Sequence, residues 1–176
     1  PGVTEAAEKV VERLKAAGIR VKGDFSDNSP GWKFAEWEMK GVPLRLEIGP
    51  KDIENGQCVL VRRDNREKAF TKLEDLEAAI PALLDALGKS LYARAEANRA
   101  GRTWTATTMD EVLERAGGEN GYIKTMWCGN LACEEMMKEK AGLSSRCMPF
   151  AQEHLSDVCP CCGKPAKAMV VWGKAY

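Results

Sequence analysis

A chain of 176 residues has room for one ordinary domain or two small ones. Its 44% hydrophobic and 30% charged residues are a folding composition, which excludes a disordered chain, and no apolar run approaches the roughly 18 residues of a membrane span. The 26 basic and 26 acidic side chains cancel, so any grip on nucleic acid must come from a local basic surface rather than the field of the whole molecule.

Taken in chain order, Thr4 is placed to cap a helix that carries Val10, Val11, Leu14 and Ala17 at helical spacing and stops at Gly18. Ile19-Arg20-Val21 reads as a short strand and Asp24 to Ser29 as a polar loop. Ser29-Pro30 starts a second helix, with Ser as cap and Pro in the first turn. That helix holds Trp32, Phe34 and Trp37, expected in the core, and ends at Gly41-Val42-Pro43. Leu44, Leu46 and Ile48 alternate with Arg45, Glu47 and Gly49, which predicts a strand with one apolar and one polar face. Gly56 marks a loop, Cys58 to Val61 a buried strand, Asp64-Asn65 a turn and Lys68 to Thr71 an edge strand.

From Leu73 to about Arg99 the apolar spacing is helical again, and Pro81 should kink or divide it. This order of elements is that of an α/β domain, a mixed sheet flanked by helices over residues 1–100, its first strand expected upstream. A connector begins at Gly101-Arg102, and residues 101–176 read as a smaller α+β domain. Thr108 and Glu111 form a capping box for a helix ending at Gly117-Gly118. Tyr122 to Met126 is a strand, Cys133 to Lys140 a helix and Ala168 to Trp172 a closing strand. Pro1-Gly2-Val3-Thr4 has no signal-peptide layout and no initiating Met, so the expectation is a piece of a longer, soluble, cytoplasmic chain.

Seven cysteines, clustered late in such a chain, argue for metal ligation over disulfides. Cys128 and Cys133 form one knuckle, with Gly129 for the tight turn; Cys159-Pro160-Cys161-Cys162-Gly163 forms another. The first choice of ligands is Cys128, Cys133, Cys159 and Cys162, closing a tetrahedral zinc with no position left for a catalytic water. Cys161 competes with Cys162 for that place. Buried core thiols are one alternative, and a redox dithiol at Cys159 is another that leaves Cys128 and Cys133 unexplained. Cys58 and Cys147 read as core. His154, the only histidine, reads as a surface or structural residue and makes acyl-transfer catalysis unpromising.

Glu38, Arg45, Lys51 and Asp52 gather around the second helix and the strand after it, with Arg62, Arg63, Arg66 and Lys68 on the next hairpin. Charge pattern alone favours a solvated, salt-bridged sheet face. The same forks and carboxylates suit the exposed edges of unpaired guanines.

The run from Gly31 to Arg45 strongly resembles prolyl-tRNA synthetase of the archaeal/eukaryotic-like type, as do Glu47-Ile48-Gly49-Pro50-Lys51-Asp52 and Val61-Arg62-Arg63-Asp64. Trp127-Cys128-Gly129, Cys147-Met148-Pro149-Phe150, Cys162 to Lys167 and the terminal Gly173-Lys174-Ala175-Tyr176 resemble that family's C-terminal zinc domain. The resemblance implies a class II synthetase anticodon-binding fold in which Glu38, Arg45, Lys51 and Asp52 contact the two guanines of proline anticodons, with support near Lys68. It implies that the Tyr176 carboxylate reaches toward the catalytic domain, that the parent is a homodimer, and that the parent uses ATP and Mg to join proline to tRNA(Pro). The class II catalytic motifs are absent, so this chain has no catalytic residues of its own. The competing function is a zinc-stabilised protein-interaction module without an RNA role.

Overall fold

The computed structural model describes residues 2–174, which form two compact units that divide between Arg94 and Ala95. Among the described residues no helix is long and apolar enough to cross a membrane.

In the first unit, helix α1 (Val3–Ala16) buries Val10 and Leu14. It starts after Gly2, at φ 90°, so Thr4 lies within the first turn instead of capping it. Its end follows expectation. Gly18 turns to φ 78° and the Ile19 N–H closes back on the Leu14 carbonyl at 3.0 Å, satisfying a carbonyl the helix leaves open. Ile19-Arg20-Val21 is not a strand. Ile19 and Val21 lean on the core, and that packing uses their apolar pattern without ladder partners among the described residues.

Helix α2 (Pro30–Met39) has Ser29 as cap, its side chain accepting from the Trp32 N–H. The expectation that its aromatics are core fails: α2 buries no residue, Trp32 is 51% exposed, and Phe34 and Trp37 are half-buried. The reason is the sheet beneath it. Strands β1 (Leu44–Glu47), β2 (Gln57–Arg62) and β3 (Lys68–Lys72) form an antiparallel sheet in that order. Its two faces are unlike. Leu44, Leu46, Cys58, Leu60 and Ala69 join Val10, Leu14, Leu76 and Ile80 in the core. Arg45, Glu47, Val59, Val61, Lys68, Phe70 and Lys72 alternate to the other face, where α2 brings Phe34, Trp37 and Glu38 against Val61 and Arg45.

Between β1 and β2 the chain makes a short helix, α3 (Pro50–Glu54), which strand alternation does not foretell. After β3, a 3-10 turn at Leu73–Asp75 leads into helix α4 (Leu76–Gly101). Pro81 does not divide α4. Near the helix start, its missing N–H forfeits a single backbone bond while Leu76, Ile80 and Leu87 stay buried.

The second unit is built on a mixed sheet of β4 (Thr103–Thr105), β5 (Tyr122–Trp127), β6 (Leu143–Cys147) and β7 (Ala168–Lys174), in the order β4-β5-β7-β6. β4 runs parallel to β5, and β7 is antiparallel to both its neighbours. Helices α5 (Met109–Gly117) and α6 (Leu131–Ala141) bury Val112, Ala116, Met137 and Ala141 against Ile123, Leu143, Val170 and Trp172. The capping box is present: Thr108 accepts from the Glu111 N–H at 3.3 Å while Glu111 accepts from the Thr108 N–H at 3.2 Å. In the middle of the sheet the fully buried Thr125 hydroxyl accepts from the Trp172 indole at 2.9 Å. Cys147 is exposed, contrary to expectation. It ends the edge strand β6, paired with Val171 past a register shift between Ser145 and Cys147 that breaks the strand's alternation of faces.

Candidate functional site

Arg45 is the centre of the polar sheet face. Its Nε donates to Glu47 at 2.7 Å and its Nη1 to Glu38 at 3.0 Å. Its guanidinium carbon lies 3.8 Å from the centroid of the Phe34 ring. Two acids and an aromatic face thus hold the fork in one orientation, leaving its remaining N–H edges to donate elsewhere. Glu38 takes Arg66 on its second oxygen at 3.1 Å. Arg66 comes from the β2–β3 turn with φ 61°.

α2, which carries Glu38 and Phe34, is pinned to the loop before it. The Trp37 indole donates to Asp24 at 2.7 Å, and the Lys33 ammonium donates to the Asp24 carbonyl at 3.2 Å. Hydrogen bonds from the Ser26 hydroxyl and the Trp37 indole bring the Asp24 carboxyl down to about 2.

The other expected residues divide. Lys68 stands on this face, opposite Val61, which is opposite Arg45. Lys51 and Asp52 lie on α3, directly after β1. Asp52 is engaged locally: its carboxylate accepts from the Gly49 N–H at 2.9 Å and caps α3. Lys51 and Lys68 are exposed and make no ion pair among the described residues. Arg62 is locked to Asp64, whose side chain is 2% exposed, through bonds of 3.0 and 2.8 Å, so this fork holds the hairpin. Hydrogen bonding from Arg62 keeps the Asp64 carboxyl below the usual carboxylate range. Sequence reasoning missed Phe34 as the bed for Arg45; the i, i+2 pair Arg45 and Glu47 on one strand face was the available signal.

In the second unit the sulfurs of Cys128, Cys133, Cys159 and Cys162 all lie within 4.8 Å of one another. Cys128 to Cys133 is 3.6 Å and Cys128 to Cys162 is 3.7 Å. Cys128 follows β5, Gly129 turns at φ 84°, and Asn130 caps α6, whose first turn carries Cys133. In the other knuckle Gly163, at φ 68°, donates its N–H to the Cys159 carbonyl at 2.9 Å. Burial opposes ionisation of Cys128, but hydrogen bonds from the Asn130 N–H and the neighbouring thiols bring it down to about 7. Burial, then its Cys162 and Cys128 neighbours, pushes Cys133 up. Such a cluster can hold a metal ion. Cys161 packs beside the four and is not one of them, its sulfur lying 3.5 Å from the Cys133 carbonyl. His154 pairs with Asp157 at 3.1 Å on the surface. Ala175 and Tyr176, with the expected terminal carboxylate, lie outside the described residues.

Residues 2–83 match the family described as anticodon binding domain, and residues 109–176 match prolyl-tRNA synthetase, C-terminal. The chain belongs to the prolyl-tRNA synthetase family. It is 56% identical over 175 residues to a proline–tRNA ligase of Lachnospira eligens and 58% identical over 175 residues to one of Clostridium novyi. Each alignment covers 99% of this chain and 36% of the relative. The crystal structure of prolyl-tRNA synthetase from Cryptosporidium parvum, complexed with L-proline and AMP, superposes with a TM-score of 0.91 at 34% identity. That superposition covers 98% of this chain and 37% of the other. The chain thus spans a little over a third of the length of the prolyl-tRNA synthetases it matches, and its polar sheet face lies in the family's anticodon-binding domain.

Proposed function

We propose that the first unit reads the two guanines of the proline anticodon in tRNA(Pro), using Glu38, Arg45, Lys51 and Asp52 with support from Lys68. The observation that carries this is the Arg45 fork, held by Glu38, Glu47 and Phe34 on a face that belongs to an anticodon-binding domain. A rigid arginine fork donates to guanine O6 and N7, and a carboxylate accepts from N1 and N2, so this pair of residue types suits guanine over other bases. Lys51, exposed and unpaired among the described residues, is free to donate to a guanine edge, and Lys68, likewise exposed and unpaired, lends its charge in support.

In the longer protein, a catalytic domain outside this chain uses ATP and Mg to ligate proline to the same tRNA. That enzyme is a homodimer and works in the cytoplasm. The present chain positions the tRNA and performs no chemistry. Residues 1–100 form the anticodon-binding domain and 101–176 the zinc domain.

The four cysteines hold a structural zinc. In a tetrahedron with Zn–S bonds of about 2.3 Å the sulfurs are about 3.8 Å apart. The 3.6 and 3.7 Å separations fit that edge. The zinc, when bound, supplies cross-linking alone, since four thiolates complete its sphere.

The test is binding of proline tRNA, with duplex RNA as control, across a salt series. Arg45→Ala and Lys51→Ala should each weaken tRNA binding by about 1–3 kcal/mol if each makes a bidentate base contact. Variants that bind like the parent would remove the assigned face, and absence of any tRNA preference would favour a protein-interaction module instead.

A further inference from the structure

We infer that Phe70 is a stacking platform for an unpaired RNA base next to the guanines; this rests on the anticodon reading above and extends it to a nucleotide that reading leaves without a partner. The register places Phe70. It pairs with Val59, which pairs with Glu47; one step along, Lys68 pairs with Val61, which pairs with Arg45. All of these residues share one pleat face, so the Phe70 ring stands on the Arg45 face, two strands across at about 10 Å from backbone to backbone.

Three observations set Phe70 apart. It is 72% exposed, because the core takes Ala69 from the same strand on the opposite face. Lys68 and Lys72 flank it at i−2 and i+2, also exposed and on its own face; Lys68 makes no ion pair among the described residues, and Lys72 makes one exposed pair with Glu74 at 3.4 Å that a phosphate can replace. And the two aromatics packed against this face from α2 are engaged: Phe34 is covered by Arg45, and Trp37 is tied to Asp24.

Lysines on an edge strand commonly guard against strand-to-strand aggregation, which accounts for Lys68 and Lys72. It does not account for Phe70. An exposed aromatic on an edge strand works against that defence, and solubility alone would favour a polar residue there. A lysine–aromatic–lysine face fits a single-stranded nucleotide, with its base on the ring and its phosphates on the ammonium groups. Such stacking tolerates any base, so Phe70 adds affinity and orientation while the choice of guanine stays with Glu38 and Arg45.

The experiment measures binding of the full chain to an anticodon stem-loop of proline tRNA by fluorescence anisotropy. Phe70→Ala and Phe70→Leu should each weaken binding about tenfold, the size expected for loss of one base–aromatic stack, while Phe70→Tyr stays within about twofold of the parent. Replacing the loop bases one at a time by abasic sites should reveal one position where parent and Phe70→Ala bind alike. If Phe70→Leu binds like the parent, or if no abasic position erases the difference, the inference is overturned. Arg45→Ala separates the two levels. If it weakens binding while Phe70→Ala does not, the Phe70 inference alone fails; if the parent chain ignores the stem-loop, the anticodon reading fails and this falls with it.

Discussion

Arg66 reaches from the β2–β3 turn to the Glu38 carboxylate at 3.1 Å, and it does so from a left-handed backbone with φ 61°. The pair is exposed on the arginine side, with 76% of that side chain accessible. An exposed ion pair contributes about 0.2–1 kcal/mol, whereas a residue with a β-carbon held in this conformation costs about 1–2 kcal/mol. Glycine bears no such cost, though it loses more chain entropy on folding. Arg66→Gly should therefore exceed Arg66→Ala in stability by about 0.5–1 kcal/mol, since alanine gives up the ion pair and keeps the strain. Urea unfolding of the two variants checks this; equal midpoints would contradict it.

The cysteine knot has little apolar support. Cys128, Cys133 and Cys159 are its buried members, and among the described residues only Trp127 and Cys161 pack against them. Metal analysis should find one zinc per chain, and a strong chelator should lower the thermal midpoint and change Trp127 fluorescence. Cys162→Ser should reduce zinc content, and Cys161→Ser should not, because the Cys161 sulfur faces the Cys133 carbonyl. Full zinc retention in Cys162→Ser would move the ligand assignment to another sulfur.

Thr125 is fully buried and accepts the Trp172 indole hydrogen. Thr125→Val keeps the shape and strands that N–H, at a cost of about 1–3 kcal/mol. Thr125→Ser keeps the hydroxyl and loses a methyl, about 1 kcal/mol. Valine should be the worse substitution in denaturant titrations, although it is the more hydrophobic.

Asp24 titrates at about 2 in the fold against an ordinary 3.8, first through Ser26 and then through Trp37. A depressed folded value means that the stabilisation is complete above pH 3.8 and fades as pH falls toward 2. The Ser26 and Trp37 hydrogen bonds to Asp24 should weaken across that window as their acceptor loses its charge, seen as a change in tryptophan fluorescence. Asp24→Asn should lack that acid step.

Much of this fold was legible because local chemistry decides it. Ser29-Pro30 and Thr108 with Glu111 announce helix starts through side chains that bond the first free N–H groups. The alternation through Leu44–Ile48 separates the faces of β1. The spacing of the cysteines announces two knuckles, and the fold brings four sulfurs within 4.8 Å. Less legible were elements whose shape is set from afar. β6, Leu-Ser-Ser-Arg-Cys, has no apolar alternation and is a strand because β7 pairs with it. Ile19–Val21 has the right residues and no ladder. Phe34 beneath Arg45, and Asp52 turned to the Gly49 N–H, depend on a helix crossing a sheet and on a short helix after a strand, which periodicity does not report.

β7 lies between β5 and β6 although it follows both in the chain. On the ribosome, β5 and β6 are therefore made well before the strand that will join them, and each waits with an open edge. A premature stop ahead of Ala168 would delete the keystone of this sheet, not trim its border, and would strand Thr125 and the Ile123 side of the core without Trp172. Quality control of a shortened product would thus act on a molecule with two sticky edges, where loss of a border strand would have left one.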